Sequence, residues 1–233
     1  MESLKFIGKD FSGEKMLFKG NASLCREDFY KSNLSEADFS FSDISLSNFT
    51  EADLLNTNFL GANAEKARFD FSNVSEAKNL FCEKTKLRWG SFKGCNLVKM
   101  NLKGLDLRGC DFTGAKLASA DFSDSLLDEA IFEKCELVNT NFKGSSVVRC
   151  NFSNSCLFGS FFKDAKVDEA IFANVEISCV LSEEQRSKAN ISFAYCNGDK
   201  IGIKEIFIPS PLVPVSIGEG VSGYPLDDYS TWK

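Results

Sequence analysis

Histidine is absent from the 233 residues. Its absence removes the commonest general base, the usual partner of a serine or cysteine nucleophile, and the commonest metal ligand. No run of 18 apolar residues occurs, and the start, Met1-Glu2-Ser3-Leu4-Lys5-Phe6, lacks a charged stretch followed by an apolar one. A membrane span and a secretory leader are therefore not expected, and the reading is a cytoplasmic protein. Nine cysteines are present but no CxxC spacing, the closest pair being Cys150 and Cys156. Without histidine to complete a zinc site, reduced thiols are the plain reading. No glycine-rich phosphate loop and no nucleophile paired with a base is found, so the sequence offers no catalytic, cofactor or metal site. Neighbouring carboxylates such as Asp128-Glu129 and Asp227-Asp228 read as solvated charges.

What the chain has in excess is phenylalanine, 23 residues of it, placed at a fixed period. Stepping by five from Leu24 gives Phe29, Leu34, Phe39, Ile44, Phe49, Leu54, Phe59, Ala64, Phe69 and Val74 without a slip. A second series runs from Leu87 through Phe92, Leu97, Leu102, Leu107 and Phe112, and on by fives to Phe172 and Ile177. Two residues before each centre the side chain is usually small, as at Ala37, Ala52, Ala62, Cys95, Cys110, Ala120, Cys135 and Cys150; Glu27, Met100 and Leu105 are exceptions. A period of five fits neither the 3.6 of a helix nor the 2 of a strand, so the chain turns a corner once per unit. Four corners make a coil of 20 residues.

Ala37-Asp38-Phe39-Ser40, Ala52-Asp53-Leu54, Cys95-Asn96-Leu97 and Ala120-Asp121-Phe122-Ser123 resemble the signature of the pentapeptide-repeat proteins: a small residue, Asp or Asn, Leu or Phe, then two polar residues. The resemblance covers about two thirds of the chain. It implies an all-β fold, a right-handed quadrilateral β-helix of seven to eight coils, with the centre and the small residue pointing inward. Centres alternate aliphatic and aromatic, Leu102 breaking the pattern, which predicts phenylalanine on two opposite faces stacked at about 4.8 Å. The same register makes Cys95, Cys110, Cys135 and Cys150 small core fillers, with like-faced pairs on the order of 10 Å apart and beyond disulfide reach.

The expected organisation is a degenerate N-terminal coil over 1–23, the β-helix over 24–180, a capping helix over 181–198 and an extended tail over 199–233. In the first segment Phe6, Phe11 and Met16 keep the spacing of five. Between Val74 and Leu87 three extra residues predict one bulged face at 77–86, with Phe81 as its inward aromatic. Ser182-Glu183-Glu184-Gln185 is a capping box, and Asn197-Gly198 is read as the end of that helix. The tail holds Ile206-Phe207-Ile208-Pro209-Ser210-Pro211-Leu212-Val213-Pro214-Val215 and reads either as a segment folded back over the coil or as a peptide-like ligand, with Phe207, Pro209, Pro211 and Leu212 as its motif.

Charge is banded. Residues 24–74 carry 4 basic and 9 acidic groups, 77–116 carry 9 and 3, and 121–136 carry 1 and 6. Lys84, Lys86, Arg88, Lys93, Lys103 and Arg108 form the basic belt and are the candidate interaction surface. A filled solenoid has no pocket in which polar groups converge, so the leading reading is a non-catalytic, rigid protein-binding or scaffold module. It carries no expectation of direct nucleic-acid binding, and an end of the β-helix is the expected place for a homodimer contact. The resemblance implies two further readings. One is a duplex-DNA mimic that binds and protects or inhibits DNA gyrase or topoisomerase IV. The other is a bacterial effector delivered into a host cell. The basic belt and the short insertion depart from the negative rod and large loops that the gyrase-directed members show.

Overall fold

The computed structural model describes residues 6–177, 180–191, 194–196 and 199–200. Over this span the chain winds as a right-handed quadrilateral β-helix. Each unit makes one turn in which the N–H of the residue three after a corner bonds back to the carbonyl, as Ala37 does to Leu34 at 2.9 Å and Ala130 to Leu127 at 2.8 Å. The third residue of the turn has positive φ, 61° at Glu36 and 65° at Glu129, while its predecessor does not, which is the pattern of a type II turn. Glycine takes that place at Gly61, Gly94, Gly109 and Gly144. Between turns a single residue pairs with its counterpart one coil on, as in Asp38↔Asn58, Asp111↔Ile131 and Asn151↔Ile171. Pairing in both directions, such as Phe132 N–H to the Asn151 carbonyl at 2.7 Å and Asn151 N–H to the Ala130 carbonyl at 3.1 Å, ties each coil to the next.

Numbering the faces from the one that bears Leu24, Leu107 and Leu127, the second bears Phe29, Phe112 and Phe132. The third bears Leu34, Leu117 and Leu137, and the fourth Phe39, Phe122 and Phe142. All of these are wholly buried or nearly so. On face two, Phe6, Phe29, Phe49, Phe69, Phe92, Phe112, Phe132, Phe152 and Phe172 form an unbroken stack, with centroids 4.7 to 5.5 Å apart and planes within 16°. Phenylalanines of face four meet this stack edge to face across the interior, Phe122 on Phe132 at 5.5 Å and 86°. Rings thus alternate between offset stacking and T-shaped contact, the two favoured geometries, and each buried ring is worth roughly 1.5–3 kcal/mol of burial.

Three expectations need correction. Leu80, not Phe81, fills the bulged face: Leu80 is fully buried, while Phe81 is half-buried and leans on Phe92 at 5.3 Å. Lys78 still pairs with Asn58, but Asn79 adopts φ 58° and turns outward, so the next residue points in. The hydroxyl of Thr85 lies 2.8 Å from the carbonyls of both Phe59 and Asn79 and closes the bulge. At the start, Met16 is 80% exposed and Phe18 is the buried residue, stacked on Phe39 at 4.4 Å. The first coil therefore holds its own three-residue excess, visible in the Asp10↔Asn33 pairing.

The third correction concerns the helix. α1 spans Glu183–Lys188, capped by Ser182 with both bonds of the capping box formed. It ends at Lys188 because Asn190 returns to the ladder, pairing with Ile171 and accepting from Phe172 N–H at 2.9 Å. Gln185 donates to the carbonyls of Phe162 and Ala165, so α1 satisfies acceptors that the last coil leaves open. β1 (Tyr195–Cys196) and β2 (Asp199–Lys200) follow as a short antiparallel pair. Asn197 and Gly198, Cys179, and the tail motif Phe207, Pro209, Pro211 and Leu212 lie outside the described residues.

Candidate interaction surface

Inward polar atoms of the repeat are used up locally. Cys95, Cys110, Cys135 and Cys150 are buried, and each thiol donates to a carbonyl of the preceding coil: Phe69, Leu87, Phe112 and Leu127, at 2.9 to 3.1 Å. Thr57 and Thr140 make the same bond to Leu34 and Leu117. Burial pushes the thiols of Cys95, Cys110 and Cys135 up to about 12 and that of Cys150 well above its ordinary value. At neutral pH these are protonated core side chains and poor nucleophiles. Outside, the Asp or Asn before each centre accepts from the backbone N–H two residues on, as Asp38 does from Ser40 at 2.9 Å.

Four of the six residues of the predicted basic belt form ion pairs, with three carboxylates. Arg108 forms a bidentate pair with Asp106, at 2.8 and 2.6 Å, and Arg88 of the preceding coil reaches the same carboxylate at 4.0 Å. The Arg108 guanidinium holds Asp106 below the usual carboxylate range. Lys93 pairs with Asp111 at 2.9 Å and Lys103 with Asp124 at 3.4 Å. Among the described residues Lys84 and Lys86 make no ion pair. Lys84 and Lys103 meet at the bulge, in a cleft of about 370 Å³ lined also by Asn79, Phe81, Cys82 and Asn101. Lys86 and Lys93 stand on faces one and two and are not brought into it. Sequence counting cannot see these pairs because each acid sits about 20 residues from its base or two before it.

A different surface emerges on face three. The residues following its centres are Val98, Ala118, Val138 and Phe158, consecutive coils apart; Val98 is 41% and Phe158 80% exposed. Their register is fixed by Lys99 N–H to the Ala118 carbonyl, Ser119 N–H to that of Val138 and Asn139 N–H to that of Phe158. The corresponding places on face four hold Lys103, Ser123, Lys143 and Lys163, so the apolar run belongs to one face. At its far end Ser155, Cys156, Leu157, Phe158, Gly159, Glu176 and Val180 enclose a mostly apolar groove of about 570 Å³. The signal was present in the sequence as every twentieth residue from Val98, but it shows only when the coil is cut into faces. Three other exposed aromatics sit at corners: Phe41 lies over Gly61, Phe71 over Gly94 and Trp89 over Gly109, where an added Cβ would meet the ring. Among the described residues no helix is long and apolar enough to cross a membrane.

A filled β-helix whose every unit repeats one turn defines a solenoid repeat protein, and comparison with known sequences gives its family. The family model for pentapeptide repeats matches eight copies in overlapping blocks from residue 20 to 78 and from 82 to 174. The chain belongs to the pentapeptide-repeat family. No curated protein matches it significantly. Solved structures similar to it include a trypsin-treated variant of QnrB1, a plasmid-mediated fluoroquinolone resistance protein, at 21% identity, covering 69% of this chain and 90% of that one with a TM-score of 0.48. HetL, involved in heterocyst differentiation regulation in the cyanobacterium Nostoc, is 22% identical, covering 70% and 76% with a TM-score of 0.32. A pentapeptide repeat protein of the Arabidopsis thaliana thylakoid lumen is 20% identical, covering 78% and 74% with a TM-score of 0.18.

Proposed function

We propose that this protein is a non-catalytic, rigid scaffold that works by binding another protein on its outer surface. The observation that supports this reading is the interior: phenylalanine and aliphatic centres fill it from Phe6 to Ile177, so ligand chemistry has only the outside to use. The outside is a set of flat faces of fixed spacing, on which some carboxylates and bases pair between neighbouring coils, as Arg149 does with Glu129 and Glu169. A regular surface of this kind suits recognition of a protein by shape and by scattered side chains.

Affinity capture from the native cell, followed by reconstitution of the purified pair, tests it. The expected result is a stoichiometric complex in which neither component is chemically changed. Consumption of a small molecule, or covalent modification of the partner by the purified protein, would overturn the reading. Protection of a type II topoisomerase by duplex mimicry is tested separately by gyrase supercoiling with and without the protein. No change in supercoiling or in drug-induced cleavage is expected, because the basic residues of 77–116 interrupt the continuous negative charge that a duplex would present. Protection of gyrase would replace the scaffold reading with the mimic.

A further inference from the structure

We propose that the surface of face one around Trp89 is the docking site for an acidic segment of the partner protein. The inference rests on the scaffold reading and gives it a place and a partner chemistry.

Over three successive coils the outward places of face one hold four bases, Lys66, Lys86, Arg88 and Arg108, against two carboxylates, Glu65 and Asp106. Their register is set by Lys66 N–H to the Arg88 carbonyl and Trp89 N–H to that of Arg108, both at 2.9 Å. The chain as a whole carries a net charge of -6, so the excess of base is local. The same face turns acidic on either side, at Asp43 and at Asp128 and Glu129.

Two guanidiniums here share one carboxylate. Arg108 holds Asp106 by two bonds at 2.8 and 2.6 Å, which leaves Arg88 at 4.0 Å with its buried Nε lacking a hydrogen-bond partner. Like charges in register repel, so the column is one anion short. The Arg88 side chain is 41% exposed, which leaves its charge open to an acid from outside. Lys66 and Lys86 are exposed and make no ion pair among the described residues.

Trp89 supplies an apolar contact beside these charges. It is 45% exposed, and its ring lies so close to Gly109 that an added Cβ would meet it at 2.0 Å. A ring seated against backbone loses little freedom when a partner covers it, and tryptophan and arginine are the residue types that dominate binding energy at protein contacts. The extent of the patch decides the class of occupant. At strand spacing three coils cover about 10 Å, the length of three or four residues of an extended peptide. That is room for carboxylates on either side of an apolar side chain. A nucleic-acid strand tracks a longer basic groove, which the flanking acids interrupt.

Isothermal titration calorimetry at low ionic strength tests the site with three probes: the end-blocked peptide Asp-Glu-Pro-Leu-Glu-Asp, its amide counterpart Asn-Gln-Pro-Leu-Gln-Asn, and an oligothymidylate. The acidic peptide is expected to bind about tenfold more tightly than the amide peptide, and to weaken as salt is added. Arg88→Gln and Trp89→Asn should each weaken it about fivefold, while Lys143→Gln, on face four, should change it less than about twofold. Asparagine suits the positive φ of Trp89, since it holds the same corner place at Asn139 and Asn154. Equal affinity for the two peptides, absence of binding included, would overturn the proposal. Tighter binding of the oligothymidylate would overturn it in favour of nucleic acid. An equal loss in Lys143→Gln would spread the attraction over every lysine-bearing face and overturn it likewise. Should Trp89→Asn fail to fold, Arg88→Gln decides alone. A captured partner that binds the doubly substituted chain as tightly as the parent would overturn the site and leave the scaffold standing, so the two readings fail separately.

Discussion

Asp38 and Asn58 show what one position of the unit contributes. They are neighbours in successive coils, and the Asn58 amide donates to the Asp38 carboxylate at 3.1 Å. The same Asp–Asn contact recurs at Asp28–Asn48, Asp53–Asn73 and Asp121–Asn141. Stacked carboxylates would repel, and the amide removes the repulsion while adding a donor. Burial raises the Asp38 pKa, but the bonds from Ser40, the charge of Lys19 and the Asn58 amide outweigh it, and the net shift is downward. A carboxyl with a depressed folded pKa adds stability above its unfolded pKa and loses it as pH falls through the folded value. Asn58→Asp reverses the local sign, stacking two carboxylates. A loss of about 1 kcal/mol at pH 7, shrinking below about pH 4 as the pair protonates, is expected from urea unfolding at the two pH values.

The buried thiols give the opposite dependence. With the folded pKa of Cys110 at about 12, the native state holds its proton over a range in which the unfolded chain has lost it. Stability therefore falls as pH rises above about 9, by on the order of 1 kcal/mol per thiol per pH unit. Cys110→Ala should fold, since alanine fills the same place at Ala130 and Ala170. Its denaturation midpoint should decline less steeply than the parent's between pH 8 and pH 10.5. The small-residue rule was legible in the sequence; its bond to the carbonyl of the coil below was not, because donor and acceptor stand 23 residues apart.

At the scale of the element, the two phenylalanine stacks differ. Face two is continuous, whereas face four is interrupted at Leu80 and Leu102, between Phe59 and Phe122. Phe132 touches four rings, Phe112, Phe122, Phe142 and Phe152. Phe132→Ala should cost about 3–5 kcal/mol, measured by chemical denaturation, because rings on every side are held by the ladder and cannot close the cavity. The alternation of Leu and Phe made both stacks readable in advance. The bulge was readable as a count of three but not in its detail, since the positive φ of Asn79 that exchanges Phe81 for Leu80 leaves no periodic trace. The helix start was legible from its capping box. Its end was not, because return to the ladder at Asn190 is decided by pairing with Ile171, not by a local stop signal.

For the whole molecule, part of the charge banded along the sequence is paired between neighbouring coils. Arg149 shows the principle, lying between Glu129 and Glu169 of the coils on either side. Such exposed pairs are each worth up to about 1 kcal/mol. The apolar run on face three became visible only when residues 20 apart were placed side by side. A rigid scaffold requires that the filled interior stay closed, which native-state hydrogen exchange reads directly. The amides of Phe112, Leu117, Phe122, Leu127 and Phe132, each bonded to the next coil, should exchange at one common slow rate set by unfolding of the whole central solenoid. Exchange of these amides within minutes would contradict that, because an interior that opens so readily is neither rigid nor closed to a ligand.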